Sequence, residues 1–259
     1  CREGSARMSR VAITGALSYT GRYLTRLLLD TTPVSSIVSF SSRTNPIASN
    51  NITNADLAKI HTTPLTFDDL GNVRRQLEGI DVFYCTYWIR FEANGDTHQK
   101  AAARIRGVFE AAAAAGVKKV VFSAHNRMRT DSPYSYIAGK ATAVESLREV
   151  SAATGMSYAV VRPCGLNDAH PSGRPLLSQG DIAVGRINRA DVADLLTRML
   201  FEPEAVGTTF ETIALPGYPV PRGFGQQLAR LGRDGDVGKT APDAAQAVLD
   251  GGGVRPEFR

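Results

Sequence analysis

No stretch of this 259-residue chain approaches the roughly 18 consecutive apolar residues that a membrane-crossing helix needs. Cysteine is scarce: Cys1, Cys85 and Cys164 make an odd number and stand far apart, which argues against a disulfide framework. Cys85 and Cys164 fall in apolar runs and read as small core residues, so a reducing compartment is expected. Histidine is as sparse. His61, His98, His125 and His170 are dispersed and lack companion cysteines, so no metal site is expected. Repeats are absent, and so are blocks of one charge. The 30 basic and 25 acidic residues are spread along the chain to a net +5, the pattern of a solvated surface and not of a nucleic-acid-binding face.

What is present is a good core in a chain of one-domain size. The 43% hydrophobic content is ordinary for a globular protein, and the length suits one large domain or one domain with a small appendage. Residues 1–9 are rich in Arg and Ser without an apolar centre. They are expected to form a disordered leader, the alternative being a transit-peptide remnant, which leaves cytoplasm, organelle matrix or stroma open.

Strands are predicted over 10–14, 36–40, 61–66, 81–87, 118–123 and 157–162, with helices over 20–30, 70–77, 97–115, 135–153 and 189–201. Several strands are near-continuous apolar runs, as in strands covered on both faces. The alternation predicts an α/β fold of Rossmann type: a doubly wound parallel sheet with helices on both faces and right-handed crossovers. A further strand over 208–214 is expected to complete one edge, and Gly116 falls where a helix C′ glycine belongs. Pro216, Pro219, Pro221 and Gly223 then break the pattern. Residues 10–215 are therefore expected to be the main domain, and 216–259 a small cap or extension with a short helix over 241–249.

Residues 11–22 carry the strongest signal. An apolar strand breaks into a T-G-x-x-G-x-x-G-type turn and then a helix, with Thr14, Gly15 and Gly21 in place and Ser18 at the middle glycine position. Such a turn presents unpaired N–H groups and the positive end of a helix to an anion. Gly15 permits the turn and Gly21 close helix–strand packing, while the Cβ of Ser18 is expected to weaken the approach of a dinucleotide pyrophosphate. Thr14, Gly15, Ser18, Tyr19, Thr20 and Gly21 are the candidate phosphate-end residues. About 20 residues on, where a carboxylate would bind the ribose of NAD, the chain has Ser42 and Arg43 instead. An Arg fork with a serine hydroxyl suits a 2′-phosphate, favouring NADP(H) over NAD(H). Of Asp68 and Asp69, one is expected to cap the following helix and the other to reach the adenine amino group.

The chemical end lies further along. Ser123 closes the fifth strand, and Tyr136 and Lys140 stand four apart, on one helix face. An ammonium beside a phenol favours the phenolate, so Tyr136 could exchange a proton with a substrate oxygen. Ser123 would orient that oxygen, and Lys140 would support the phenolate and hold the nicotinamide ribose.

Together these segments resemble the short-chain dehydrogenase/reductases of atypical or extended kind, close to the NmrA-like NAD(P)-binding group. The resemblance covers about residues 10–215 and includes Arg162-Pro163-Cys164-Gly165 and Asn188-Arg-Ala-Asp191-Val-Ala193. It implies that Pro163 lies near the nicotinamide and that Asp191 serves structure in a first helical turn. Thr86-Tyr-Trp-Ile-Arg-Phe91 is similar to a motif of epimerase/dehydratase-like relatives, in which an Asn usually stands where this chain has Cys85. Thr86 would then border the cofactor, and Tyr87, Trp88 and Arg90 either line a substrate pocket or form a core pair and a surface charge. The resemblance implies an NAD(P)H-dependent oxidoreductase acting on a small carbonyl or enone. The alternatives are a non-catalytic NADPH-binding sensor or accessory subunit of a larger assembly, and an epimerase/dehydratase. A homo-oligomer is compatible with each.

Overall fold

The computed structural model describes residues 9–40, 53–64, 67–86, 98–128, 130–132, 135–172, 175–215 and 224–235. In chain order the elements are β1 (Ser9–Thr14), α1 (Tyr19–Leu29), β2 (Val34–Phe40), α2 (Asn54–Leu57), β3 (Ile60–Thr63), α3 (Leu70–Leu77), β4 (Val82–Cys85) and α4 (His98–Ala114). There follow β5 (Lys119–Ser123), α5 (Ser135–Thr154), β6 (Ser157–Pro163), β7 (Gly165–Asn167), β8 (Pro175–Ser178), β9 (Arg186–Asn188) and α6 (Arg189–Arg198). A 3₁₀ turn (Pro203–Ala205), β10 (Thr208–Ala214) and α7 (Phe224–Leu228) complete the described chain.

The main sheet has the order β3-β2-β1-β4-β5-β6-β10-β8. Every pairing in it is parallel except β10 with β8. The chain runs outward from β1 in one direction through β2 and β3, then in the other through β4, β5 and β6. This reversal opens a crevice between β1 and β4 at the carboxyl ends of the strands. Two of the differences from the sequence expectation concern β10 and α6. The strand at 208–214 is internal, because the short antiparallel β8 covers its outer side. Helix α6 stops at Arg198 and not at 201, with Met199 as its C-cap and Pro203 starting the 3₁₀ turn.

Alternation along the strands sorts side chains into two cores. Val11, Ile13, Val82, Tyr84, Val121 and Val161 join α1, α6 and α7 on one face. Ala12, Phe83, Cys85, Val120, Phe122 and Val160 pack on the other, against α3, α4 and α5. The alanine-rich α4 ends in a Schellman motif, with Gly116 at φ 81°, Gly116 N–H donating to Ala113 and Val117 N–H to Ala112. Helix α7 buries Phe224 and Leu228 in the α1/α6 core. Asp234 accepts from Arg148 Nε, Tyr158 Oη and the Thr209 amide, at 2.8, 2.9 and 3.0 Å, and ties residues 232–235 to the starts of β6 and β10. Among the described residues no helix is long and apolar enough to cross a membrane.

Candidate cofactor site

At the end of β1 the backbone turns at Gly15, whose φ of 74° belongs to the left-handed region. Ser18 N–H closes the turn onto Gly15 O at 2.8 Å. Ser18 itself has φ −70° and ψ 166°, ordinary extended values. Its side-chain oxygen accepts from Gly21 N–H at 3.0 Å, so Ser18 is the N-cap of α1. The residue at the middle glycine position thus has a definite local task that glycine could not perform. Gly21 is the tight spot, since a Cβ there would lie 2.0 Å from Gly15 O. The turn therefore directs the first N–H groups of α1, at Tyr19 and Thr20, toward the crevice.

Two threonines join the strands that border the crevice. Thr86 Oγ1 donates to Thr14 O at 2.6 Å, just beyond β4. Thr14 Oγ1 meets Tyr84 O at 3.5 Å.

Ser123 ends β5, half-buried. Lys140 projects from α5 to the same strand end, its Nζ 3.4 Å from Ala124 O. Burial pulls its ammonium down to about 8, opposed by the neighbouring Cys85. Burial pushes the Cys85 thiol up to about 11, against the opposite pulls of a Thr14 hydrogen bond and Lys140. Thr14, Cys85 and Lys140 thus form a chain of neighbours from the end of β1 past the end of β4 to α5. Sequence reasoning placed Cys85 in the core, where it is, but had no signal for its lysine neighbour 55 positions away. Cys164 is also free and buried, its Sγ 3.5 Å from Ala183 O.

The loop after β5 is fastened to β6. Ala124 N–H donates to Val161 O and Asn126 N–H to Pro163 O, which brings buried Pro163 beside the Ser123–Lys140 corner. His125 Nδ1 lies 2.6 Å from Asn126 O. Tyr136 is in the first turn of α5, one turn before Lys140; its side chain lies outside what the structure describes. Ser42, Arg43, Tyr87, Trp88, Arg90 and the segment 241–249 also lie outside the described residues.

The two aspartates after β3 are separated by local geometry. Asp69 is the N-cap of α3, accepting from Asn72 N–H at 2.9 Å, while exposed Asp68 pairs with Arg104 at 2.8 Å. Asn188 caps α6 through Ala190 N–H. Buried Asp191 accepts from the Ser172 amide and hydroxyl at 2.8 and 2.9 Å, tying the segment after β7 to α6. A cavity of about 800 Å³ lies elsewhere, along β6 and β10, lined by Arg148, Tyr158 and Asp234, which pair with one another.

The NAD(P)H-binding family model matches residues 15–203, from the glycine turn to beyond α6. This chain belongs to the NAD(P)H-binding family. The residues present fit such a cofactor, with a glycine-tight turn feeding the start of α1 at the switch point and Lys140 at the far end of the crevice. No curated protein matches the sequence. Among solved structures, the chain is similar to a Rossmann-fold NAD(P)-binding family protein from Shigella flexneri (TM-score 0.64, 18% identity, 84% of this chain and 99% of that one). It is also similar to a wide-type short-chain dehydrogenase/reductase from Veillonella parvula in complex with NADP (0.63, 15%, 83% and 99%). A third similar structure is ChuY, an anaerobilin reductase from Escherichia coli O157:H7 (0.61, 17%, 82% and 100%). At these identities the likeness is one of fold.

A second buried lysine gives this NAD(P)H-binding protein a testable pH response. Lys119 Nζ donates to the carbonyls of Met199, the C-cap of α6, and Glu202, just before the 3₁₀ turn, and burial pulls its ammonium down to about 8. Lys119 and Lys140 both bind protons more weakly folded than at the ordinary lysine value of 10.5. At these two lysines the unfolded chain therefore holds more protons from about pH 8 upward, so stability rises with pH between about 8 and 9; above pH 9 the raised Cys85 thiol acts in the opposite direction. Urea midpoints measured from about pH 7.5 to 9 are expected to climb. Lys119→Met should flatten part of that slope, and a midpoint that falls with pH in the wild type contradicts the assignment.

Proposed function

We propose that this chain is an NADP(H)-dependent oxidoreductase of the short-chain dehydrogenase/reductase type, reducing a small organic carbonyl or enone with Tyr136 as proton donor. The observation that carries the reading is Lys140. Its half-buried ammonium is fixed at the ends of β4 and β5, on the helix face it shares with Tyr136 one turn earlier. A cation held there lowers the cost of a phenolate after the proton has left. Ser123, at the end of β5, orients the substrate oxygen. The bound nicotinamide supplies the hydride. Thr86 and Pro163 flank its site, Asp68 reaches the adenine, and Ser42 and Arg43 receive the 2′-phosphate. The segment 10–215 is the cofactor unit and 216–259 a small cap. The wide-type relative in complex with NADP and the anaerobilin reductase support the cofactor and the reaction class.

The test is a panel of aldehydes, ketones and enones offered to the purified protein with NADPH, followed by loss of nicotinamide absorbance. At least one compound is expected to be reduced, and Tyr136→Phe to lose that turnover while binding NADPH as before. Undiminished turnover in Tyr136→Phe overturns the mechanism. Tight NADPH binding without oxidation across the panel would favour a sensor or accessory subunit. A redox-neutral product with retained cofactor would favour an epimerase or dehydratase.

A further inference from the structure

Helices α1 and α6 pack against each other, and their first residues meet. Tyr19, the first residue of α1, is 66% exposed. Two guanidinium groups flank its ring, Arg22 at 5.2 Å from the centroid and Arg189, the first residue of α6, at 5.4 Å. A ring left in water at a helix start buries little, but it holds planar cations in fixed orientation through their attraction to its face. Both helices begin at this place, one capped by Ser18 and the other by Asn188, so their positive ends add to the two arginines. Arg189 also pairs with Asp168 at 2.6 Å, a carboxylate with 60% of its side chain exposed. Such a pair is screened by water and readily exchanged for a stronger anion.

We propose that Tyr19, Arg22 and Arg189 form a clamp for the dinucleotide pyrophosphate, with Asp168 holding Arg189 in the absence of that anion. This rests on the NAD(P)H site already described and adds a wall to it from α6. The pyrophosphate lies over the first N–H groups of α1. Arg22 meets it from the same helix and Arg189 from across the crevice mouth, as forked donors to its oxygens. Asp168 competes for Arg189, so affinity is set partly by a carboxylate that never touches the cofactor.

The experiment is a nicotinamide-fluorescence titration of the full chain with NADPH and NADH, each at low and at high salt. Arg189→Ala should weaken both cofactors about tenfold and reduce the salt dependence. Arg189→Lys should fall between, because a point charge replaces a fork. Asp168→Asn should tighten both several-fold, a gain that a merely structural pair would not produce. Thermal melts identify any variant whose loss comes from misfolding, and Asp168→Asn keeps the proposal testable in that case. Unchanged affinity in both Arg189→Ala and Asp168→Asn overturns the clamp. A loss confined to NADPH overturns the pyrophosphate assignment and moves the arginines to the 2′-phosphate. Failure of the underlying site would look different: the wild type would bind neither cofactor.

Discussion

Gly21→Ala is expected to abolish measurable NADPH binding and to destabilise the fold, although alanine is the better helix former. Propensity alone favours alanine within a helix by about 1 kcal/mol. The added Cβ would lie 2.0 Å from Gly15 O, 2.8 Å from Gly15 C and 2.9 Å from Ser18 Oγ. The first two contacts are backbone, so no side-chain rotation relieves them. Either β1 and α1 move apart or the turn opens. Overpacking of this kind costs about 1–3 kcal/mol, enough to reverse the propensity gain. The larger effect is on binding, because the anion site consists of backbone N–H groups whose direction the turn sets. An affinity loss of at least about 100-fold is expected by fluorescence titration, with a lower denaturation midpoint. Gly116→Ala is the control. Gly116 has φ 81° with nothing within 4 Å of its built Cβ, so about 1 kcal/mol is lost to backbone strain and NADPH affinity should not change. Wild-type affinity in Gly21→Ala would sink the assignment of this turn as the phosphate site.

The largest stability loss is expected at Glu211, a residue that does no chemistry. Its side chain is wholly buried on β10. It accepts from Asp181 N–H at 2.7 Å, Ala183 N–H at 3.1 Å, Ser178 Oγ at 3.2 Å and Arg162 at 3.5 Å. Two of these donors are backbone amides of the segment after β8, and Asp181 in turn pairs with Arg162. Asp181 sits at φ 60°, a conformation that costs energy in a residue other than glycine and is held by this network. Glu211→Ala strands several donors and a cation, at about 3–5 kcal/mol. For a chain of this size that lowers Tm by on the order of 10 °C. Glu211→Gln keeps the shape and one acceptor and should lose less. Calorimetric melts of the three proteins decide the point, and a change of only a degree or two in Glu211→Ala would refute the network's role.

Much of this was legible from short-range pattern. Alternating apolar runs and helical stretches located six parallel strands to within a few residues, because each strand's apolar content reflects burial on both faces. Gly116 was legible because a helix ends locally. Strand β8 was not: its four residues, Pro175–Ser178, carry no periodicity, and only the exposed edge of β10 makes them a strand. Which of Asp68 and Asp69 caps α3 was decided three residues away, by which carboxylate reaches Asn72 N–H.

The sequence by itself determined that residues 11–22 form a strand, a turn and a helix, and that Tyr136 and Lys140 share a helix face, since both are matters of local geometry. Only the tertiary structure decided what those features meet. It made Ser18 the N-cap of α1, and it put Lys140 beside Cys85 and Ala124 at two strand ends. It also set Arg189 over the ring of Tyr19, 170 positions away. The physical reason is range. Turn and helix preferences act over a few residues, whereas the environment of a charge depends on groups that only the sheet order brings together.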